Sequence, residues 1–408
     1  MSTEIIHESP SLKGAASDYW SRVKAGDIGA LPAILGLIVL CAIFGAMSDV
    51  FLTPGNFANL LTQAAAVIVI AMGLVFVLLL GEIDLSAGYA AGVSGAVLVI
   101  LITNHQVAWY IAFPISIMVG GLLGFILGTL VARVGIPSFV VTLAAFLAFQ
   151  GLLLLLAGEG GTIRIEDETI LAVQNSNLSP LLSWVFFIVV AVTYVGMGLN
   201  RLNTRRRAGL KTELVKLWVI KTTTLLLITG GAVFALTVER SNNPDLVSLK
   251  GIPYVVPLIL FLLAVGTFVL GRTAFGRHIY AVGGNAEAAR RAGINVKRVR
   301  IAAFVICSAL AAVAGMIFAS RQNSISPTTG GSSTLLYAVG AAVIGGTSLF
   351  GGKGKMRDAI LGGLVVAVID NGMGLLGYAA GIKFIVTGVV LLVSAGVDAV
   401  SRRGSSVS

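Results

Sequence analysis

The sequence predicts an all-α fold, a polytopic transmembrane helical bundle of about 10–12 membrane segments, some broken or re-entrant. Three observations carry that prediction. Hydrophobic residues make up 57% of the chain, charged residues 11%, and mean hydropathy is +0.97, which leaves too little polar surface to cover a water-soluble particle. Twelve apolar runs approach the ~20 residues needed to cross ~30 Å of hydrocarbon. The polar intervals between them are each too short to build an independent soluble core.

The runs fall at 32–50, 60–80, 86–103, 108–131, 137–157, 181–199, 217–238, 253–271, 301–320, 336–349, 359–377 and 384–400. The first is long and lacks a small-residue cleavage site, so it reads as an uncleaved anchor behind a polar tail at 1–31. The second and third are nearly continuous around Gly81-Glu82-Ile83-Asp84-Leu85-Ser86, the signature of a broken or re-entrant element. Charge at membrane depth is costly, so Glu82 and Asp84 must line a cavity, pair with a cation, cap a helix or sit at the interface. Two readings stand there: Asp84 or Ser86 caps the following helix, or these residues border a solute pathway. Gly88 and Gly92 in the third run, and Gly120, Gly124 and Gly128 in the fourth, have the four-residue spacing that lets backbones approach closely.

The fifth run opens at Pro137, a residue suited to a helix start, followed by Ser138, Phe139 and Thr142. Ser138 and Thr142 share a face at i,i+4, either as pathway hydroxyls or bonded back to the preceding turn. The sixth and seventh runs flank a basic loop at 200–216, the eighth and ninth a hydrophilic one at 272–300. Between the ninth and tenth, Ser320 to Thr334 is rich in hydroxyls and amides, and Pro327 and Gly330-Gly331 exclude a regular helix. It reads as an outer loop that either meets a partner or is simply solvated. The tenth run is short enough to be incomplete, and Asp370-Asn371 interrupt the eleventh with the same choice between cavity and cap. The pentapeptide Gly-Tyr-Ala-Ala-Gly stands at 88–92 and again at 377–381, as an inverted repeat or by chance. Residues 32–400 thus form one membrane domain, closed by a tail at 401–408.

With the N-terminus in the cytoplasm, 23 of the 28 Lys and Arg residues fall on one side. Arg164, Arg240, Lys250, Arg321 and Lys383 fall on the other, together with the acidic Glu159, Glu166, Asp167 and Glu168. The positive-inside rule therefore puts both termini in the cytoplasm. The net charge of +10 punctuates membrane crossings instead of forming a stripe, which argues against nucleic acid. Cys41 and Cys307 both lie inside apolar runs, where they make neither a disulfide framework nor a metal site. Gly351-Gly352-Lys353-Gly354-Lys355 fails the phosphate-loop pattern because position 347 is Thr, and the three histidines lack metal spacing. No nucleophile has a base nearby in the sequence, so no catalytic residue is expected and the chain reads as a non-enzyme.

The most informative stretch is 272–300. Asn285 can N-cap a short helix, Glu287 sits near its positive end, Arg290 and Arg291 near its negative end, and Gly293 can close it. Glu287 and Arg291 are spaced i,i+4. An isolated helix of about two turns is marginal in water, so it needs support from the domain's own helix ends or from a partner.

Glu287-Ala288-Ala289-x-x-x-Gly293 resembles the coupling segment of bacterial ABC importer permeases. Its neighbours extend the likeness: the 271–277 stretch Gly-Arg-Thr-Ala-Phe-Gly-Arg, then Tyr280 to Asn285 with Gly283 and Gly284, Ala292 to Val296, Gly345 to Leu349, Asp370-Asn371-Gly372, Glu82 to Ser86, and Pro137-Ser138-Phe139. Together these are similar to the monosaccharide permeases for ribose, galactose, arabinose and xylose, from about residue 56 to 400. The segment at 200–240 most closely resembles the xylose branch. The chain departs from the wider pattern in lacking an Ile/Leu-Pro ending after Gly293.

That resemblance implies a sugar permease, with D-xylose the expected substrate, in the bacterial inner membrane, working as a homodimer among membrane lipid by alternating access. It implies a cytoplasmic ATP-binding subunit engaging Gly283, Gly284, Asn285, Glu287, Ala288, Ala289, Arg290, Arg291 and Gly293. It further implies a soluble extracytoplasmic sugar-binding protein, for which Gln322, Asn323, Ser324 and Ser326 are candidate contacts. The candidate pathway residues are Glu82, Asp84, Ser86, Ser138, Phe139, Thr142, Asp370 and Asn371. No cofactor is expected on this chain, ATP and Mg belonging to the partner ATPase. The competing readings are an ion-coupled secondary sugar transporter with Glu82, Asp84 or Asp370 as ion site, and a passive channel.

Overall fold

A computed structural model describes residues 31–158, 161–208 and 215–405, with side chains as far as 396. The expected tail as far as residue 30, Glu159 and loop residues 209–214 lie outside the described residues. In chain order the helices are α1 (Leu31–Met47), α2 (Pro54–Leu78), α3 (Ala87–Thr103), α4 (Trp109–Thr129), α5 (Ser138–Ala157), α6 (Glu168–Asn175), α7 (Pro180–Arg207), α8 (Val215–Thr237), α9 (Val255–Arg272), α10 (Ala274–Gly284), α11 (Ala286–Arg291), α12 (Val296–Gln322), α13 (Ser332–Gly345), α14 (Met356–Leu375) and α15 (Ala380–Ser405). Two short strands, β1 (Ile163–Arg164) and β2 (Ser324–Ile325), pair antiparallel with Ile163 opposite Ile325. Among the described residues eight helices are long and apolar enough to cross a membrane, and four shorter apolar ones accompany them, matching the twelve runs of the sequence. The protein is a multi-pass membrane protein.

Residues 29–176 and 253–399 make one compact unit. At its heart α2 is buried along nearly its whole length, as a helix that is apolar on every face must be. Thr53 caps it by accepting the Asn56 N–H at 3.3 Å, and Pro54 occupies its first turn. The glycine row of α4 packs on α12: a Cβ on Gly124 would lie 2.3 Å from the Phe304 carbonyl oxygen, and one on Gly120 would lie 2.5 Å from that of Ser308. Close backbone approach is what the four-residue spacing predicts. α4 ends in a π-helical turn, Leu130–Val134, closed by Gly135 at φ +87°.

Two irregular segments reach α3 from opposite ends of the chain's path. The first is the break at 79–86 that the sequence marks. The second differs from expectation, since Ser320 to Thr334 is an exposed loop only in part: Ile325, Thr329 and Gly330 are buried. A Cβ on Gly88 would stand 2.2 Å from the Gly330 carbonyl oxygen, and one on Gly92 would stand 2.5 Å from that of Thr329. Those two α3 glycines therefore admit an unwound backbone in place of a helix, and the freed hydroxyls of Ser326, Thr328 and Thr329 bond one another at 3.1–3.2 Å. The repeated pentapeptide is not a structural repeat: 88–92 is buried helix, whereas Gly377 takes φ +74° in the turn before α15. α15 also runs to Ser405, into the stretch expected as a tail.

Residues 177–208 and 215–252 belong to a second unit. Here α7 and α8 make a hairpin in which Gly198 receives the Trp218 ring and Gly230 the Phe187 ring. Most of their apolar side chains are exposed, and both helices are long and apolar enough to cross a membrane. Glu239 organises the loop after α8 by accepting the N–H groups of Ser241 and Leu249 at 3.0 and 2.9 Å and the Ser248 hydroxyl at 2.8 Å. The Ser241 N–H first, then the Leu249 N–H, hold its carboxyl down at about 2.

Candidate functional site

The 272–300 segment folds into two helices where the sequence suggested one. α10 is amphipathic, with Gly276, Ile279 and Val282 buried, and Thr273 caps it by accepting the Gly276 N–H at 3.1 Å. α11 follows at once. Asn285 Oδ1 accepts the Ala288 N–H at 2.9 Å, and Gly293 closes the helix at φ +84° while the Ile294 N–H donates to the Ala289 carbonyl at 3.0 Å. Glu287 pairs with Arg290 at 2.7 Å and with Arg291 at 3.2 Å. Those contacts, Arg290 foremost, draw its carboxyl below the usual carboxylate range. Ala289 is buried against the domain, whereas Glu287, Ala288, Arg290 and Arg291 face outward. Asn295 then caps α12 by accepting the Arg298 N–H at 3.0 Å.

The support that so short a helix requires is visible in the backbone. A Cβ on Gly283 would lie 1.8 Å from the Leu79 carbonyl oxygen and 2.8 Å from the Gly352 nitrogen, so only glycine fits. The Gly352 N–H donates to that same Leu79 oxygen at 2.9 Å. Tyr280 donates its hydroxyl to the Gly354 carbonyl at 2.7 Å. Arg300, one turn into α12, pairs with Glu82 at 3.1 Å. Residues 351–354, which tempt a phosphate-loop reading in the sequence, thus form a structural brace.

From that junction the break rises into the bundle. Gly81 turns the chain at φ +73°, and Ile83 is clamped by α5: its N–H donates to Ser138 Oγ at 3.3 Å and its carbonyl accepts from Thr142 Oγ1 at 3.2 Å. Thr142 Oγ1 also lies 2.8 Å from the Ser138 carbonyl, so both readings of these hydroxyls meet in one geometry. Asp84 is fully buried, and its Oδ1 accepts the Ser86 N–H at 2.9 Å and the Ser86 hydroxyl at 2.6 Å. The carboxyl group stands at the start of α3, as the capping reading anticipates. Glu82, Asp84, Ser86, Ser138 and Thr142 are therefore gathered at one place, and Phe139 beside them is exposed.

Asp370 and Asn371 lie elsewhere, within a polar cluster facing the first turns of α2. Gln63 donates to Asp370 Oδ2 at 2.5 Å, Lys383 pairs with Asp370 Oδ1 at 3.4 Å, and Asn371 and Asn56 exchange amide hydrogen bonds at 2.9 Å. Nearby, Arg321 donates to Thr62 Oγ1 at 2.9 Å and to Asn59 Oδ1 at 3.3 Å. Of the residues assigned to an outer partner, Gln322 and Asn323 are exposed, Asn323 at φ +53° with its Oδ1 accepting from Asn175 at 3.0 Å. Ser324 sits half-buried in β2, and Ser326 is half-buried in the hydroxyl knot. Sequence reasoning missed Tyr280, Arg300, Gln63, Asn56 and Lys383 as partners. Nothing local to any of them announces a contact so distant along the chain.

A family model described as the branched-chain amino acid transport system / permease component matches residues 56–395. The chain is 34% identical to the xylose transport system permease protein of Escherichia coli (strain K12), over 95% of this chain and 96% of that protein. It is 32% identical to the corresponding Haemophilus influenzae protein over 94% and 99%. With the ribose import permease protein of Escherichia coli (strain K12) it shares 28% identity over 90% and 92%. No solved structure matches. The chain belongs to this family of membrane transport permeases, the one that includes the xylose transport system permeases.

Proposed function

We propose that this chain is the membrane subunit of an ATP-driven monosaccharide importer, with D-xylose the substrate. It works as a homodimer in the bacterial inner membrane, with both termini in the cytoplasm. The observation that carries this reading is end-to-end similarity to a xylose permease, over 95% of one chain and 96% of the other. The exposed, doubly capped α11 supports the second half of it, because a surface knob buttressed from behind by backbone contacts suits engagement by a separate ATPase. Closure of that ATPase on ATP biases a bundle with two packings, one open outward and one inward. A soluble sugar-binding protein delivers the sugar at the other face, where Gln322 and Asn323 are presented.

The ion-coupled alternative requires an acid free to take an ion. Glu82 is instead paired with Arg300 and Asp370 with Lys383, while Asp84 gives Oδ1 to the start of α3 and leaves Oδ2 without a hydrogen-bond partner among the described residues. The experiment is reconstitution with the ATPase and binding-protein subunits: xylose uptake should follow enclosed ATP and ignore imposed proton or sodium gradients. Uptake by the chain alone, driven by a gradient, would overturn the proposal.

A further inference from the structure

We infer that the junction of residues 79–82, 280–284 and 351–354, fastened by the Arg300–Glu82 ion pair, carries displacement of α11 to the N-terminus of α3. Tyr280, Glu82 and Arg300 are then positioning residues for coupling. The inference rests on the proposed function, since it supposes that an ATPase moves α11.

Close packing is the first argument. In the last turn of α10 Gly283 is seated on the Leu79 carbonyl, α11 follows after Asn285, and a Cβ on Gly351 would lie 2.8 Å from the Gly283 oxygen and 2.9 Å from the Gly81 nitrogen. Three backbones this close leave no soft side chain between them, and a packed interior passes on a shift instead of absorbing it. Chain continuity is the second. Leu79 follows α2 directly and opens the break, which leads through Glu82 and the clamped Ile83 to Asp84 at the head of α3. Beyond it, Gly88 and Gly92 touch the carbonyls of the buried 329–330 backbone. A push on α11 thus reaches both unwound segments of the unit through α3. The third is that Glu82 and Arg300 tie this break directly to the helix that follows α11, with both side chains partly shielded from water. A shielded pair resists screening, so it holds the two segments together through a cycle.

The test uses the full chain co-expressed with its ATPase and binding-protein subunits, and reads sugar moved per ATP hydrolysed together with the ATPase retained on purification. Glu82→Gln and, separately, Tyr280→Phe should lower that ratio about fivefold or more while leaving retained ATPase unchanged. The exchange variant Glu82→Arg with Arg300→Glu should return the ratio toward wild type, which a merely structural defect would not allow. An unchanged ratio in Glu82→Gln, an exchange variant no better than it, or loss of bound ATPase would each overturn the inference. If the wild-type chain couples normally in those cases, the importer reading survives; if the wild type binds no ATPase, both fall.

Discussion

Glu287 and Gly293 show how much a few local residues decide. Glu287 satisfies the positive end of α11 and holds two arginines over its negative end, while Gly293 takes a left-handed turn that other L residues adopt only with strain. A Glu287→Lys, Gly293→Asp double variant puts a positive charge at the positive end of the helix dipole and a negative one just beyond its negative end, and strains the closing turn. It should insert in the membrane at wild-type levels yet lower ATP-driven uptake about tenfold or more, as uptake assays beside quantitative membrane blots would report. Normal uptake would remove α11 from the mechanism. These residues are legible in the sequence because caps and i,i+4 pairs are local, and Asn285, Glu287, Arg291 and Gly293 all do what their order implies. The Glu82–Arg300 pair is not, since it joins residues far apart in the chain and Arg300 reads there as one more basic loop charge.

At the scale of elements, the break at 79–86 is tolerated inside an apolar bundle because neighbouring side chains take over its freed backbone groups. Ser138 and Thr142 do so for Ile83. Replacing them together, Ser138→Ala with Thr142→Val, strips both polar partners while nearly conserving volume, and should destabilise the protein by about 1–3 kcal/mol. Thermal unfolding in detergent reads this as a lower midpoint with the helical signal retained at low temperature. An unchanged midpoint would show that water or another group satisfies Ile83. Hydropathy marks the break, because two carboxylates set between two apolar runs cannot continue a helix that lipid surrounds. It misses the burial of 329–330, where glycine, threonine and proline spell a loop equally well in water or inside a protein. α10 escapes the sequence for a different reason: its apolar positions at Ile279 and Val282 are few, and basic neighbours obscure a helix that its Thr273 cap and buried face define.

On the scale of the whole molecule, apolar helices supply the crossings, two unwound segments interrupt them, and a short exposed helix stands on a backbone junction at the end of one break. Apolar side chains are exposed on α4, α5, α7, α8 and α15, the faces that the proposed reading gives to lipid or to a second copy of the chain. What makes the protein an ATP-driven importer, on this account, is that α11 meets a separate motor at the cytoplasmic face. The direct measurement is site-specific cross-linking. In a chain whose Cys41 and Cys307 are replaced by alanine, a cysteine at Ala288 should label only from the cytoplasmic side and cross-link to the ATPase subunit, with a yield that changes between ATP-bound and nucleotide-free states. Labelling from the outside, or ATP-driven uptake with no cross-link from any outward position of α11, would contradict it.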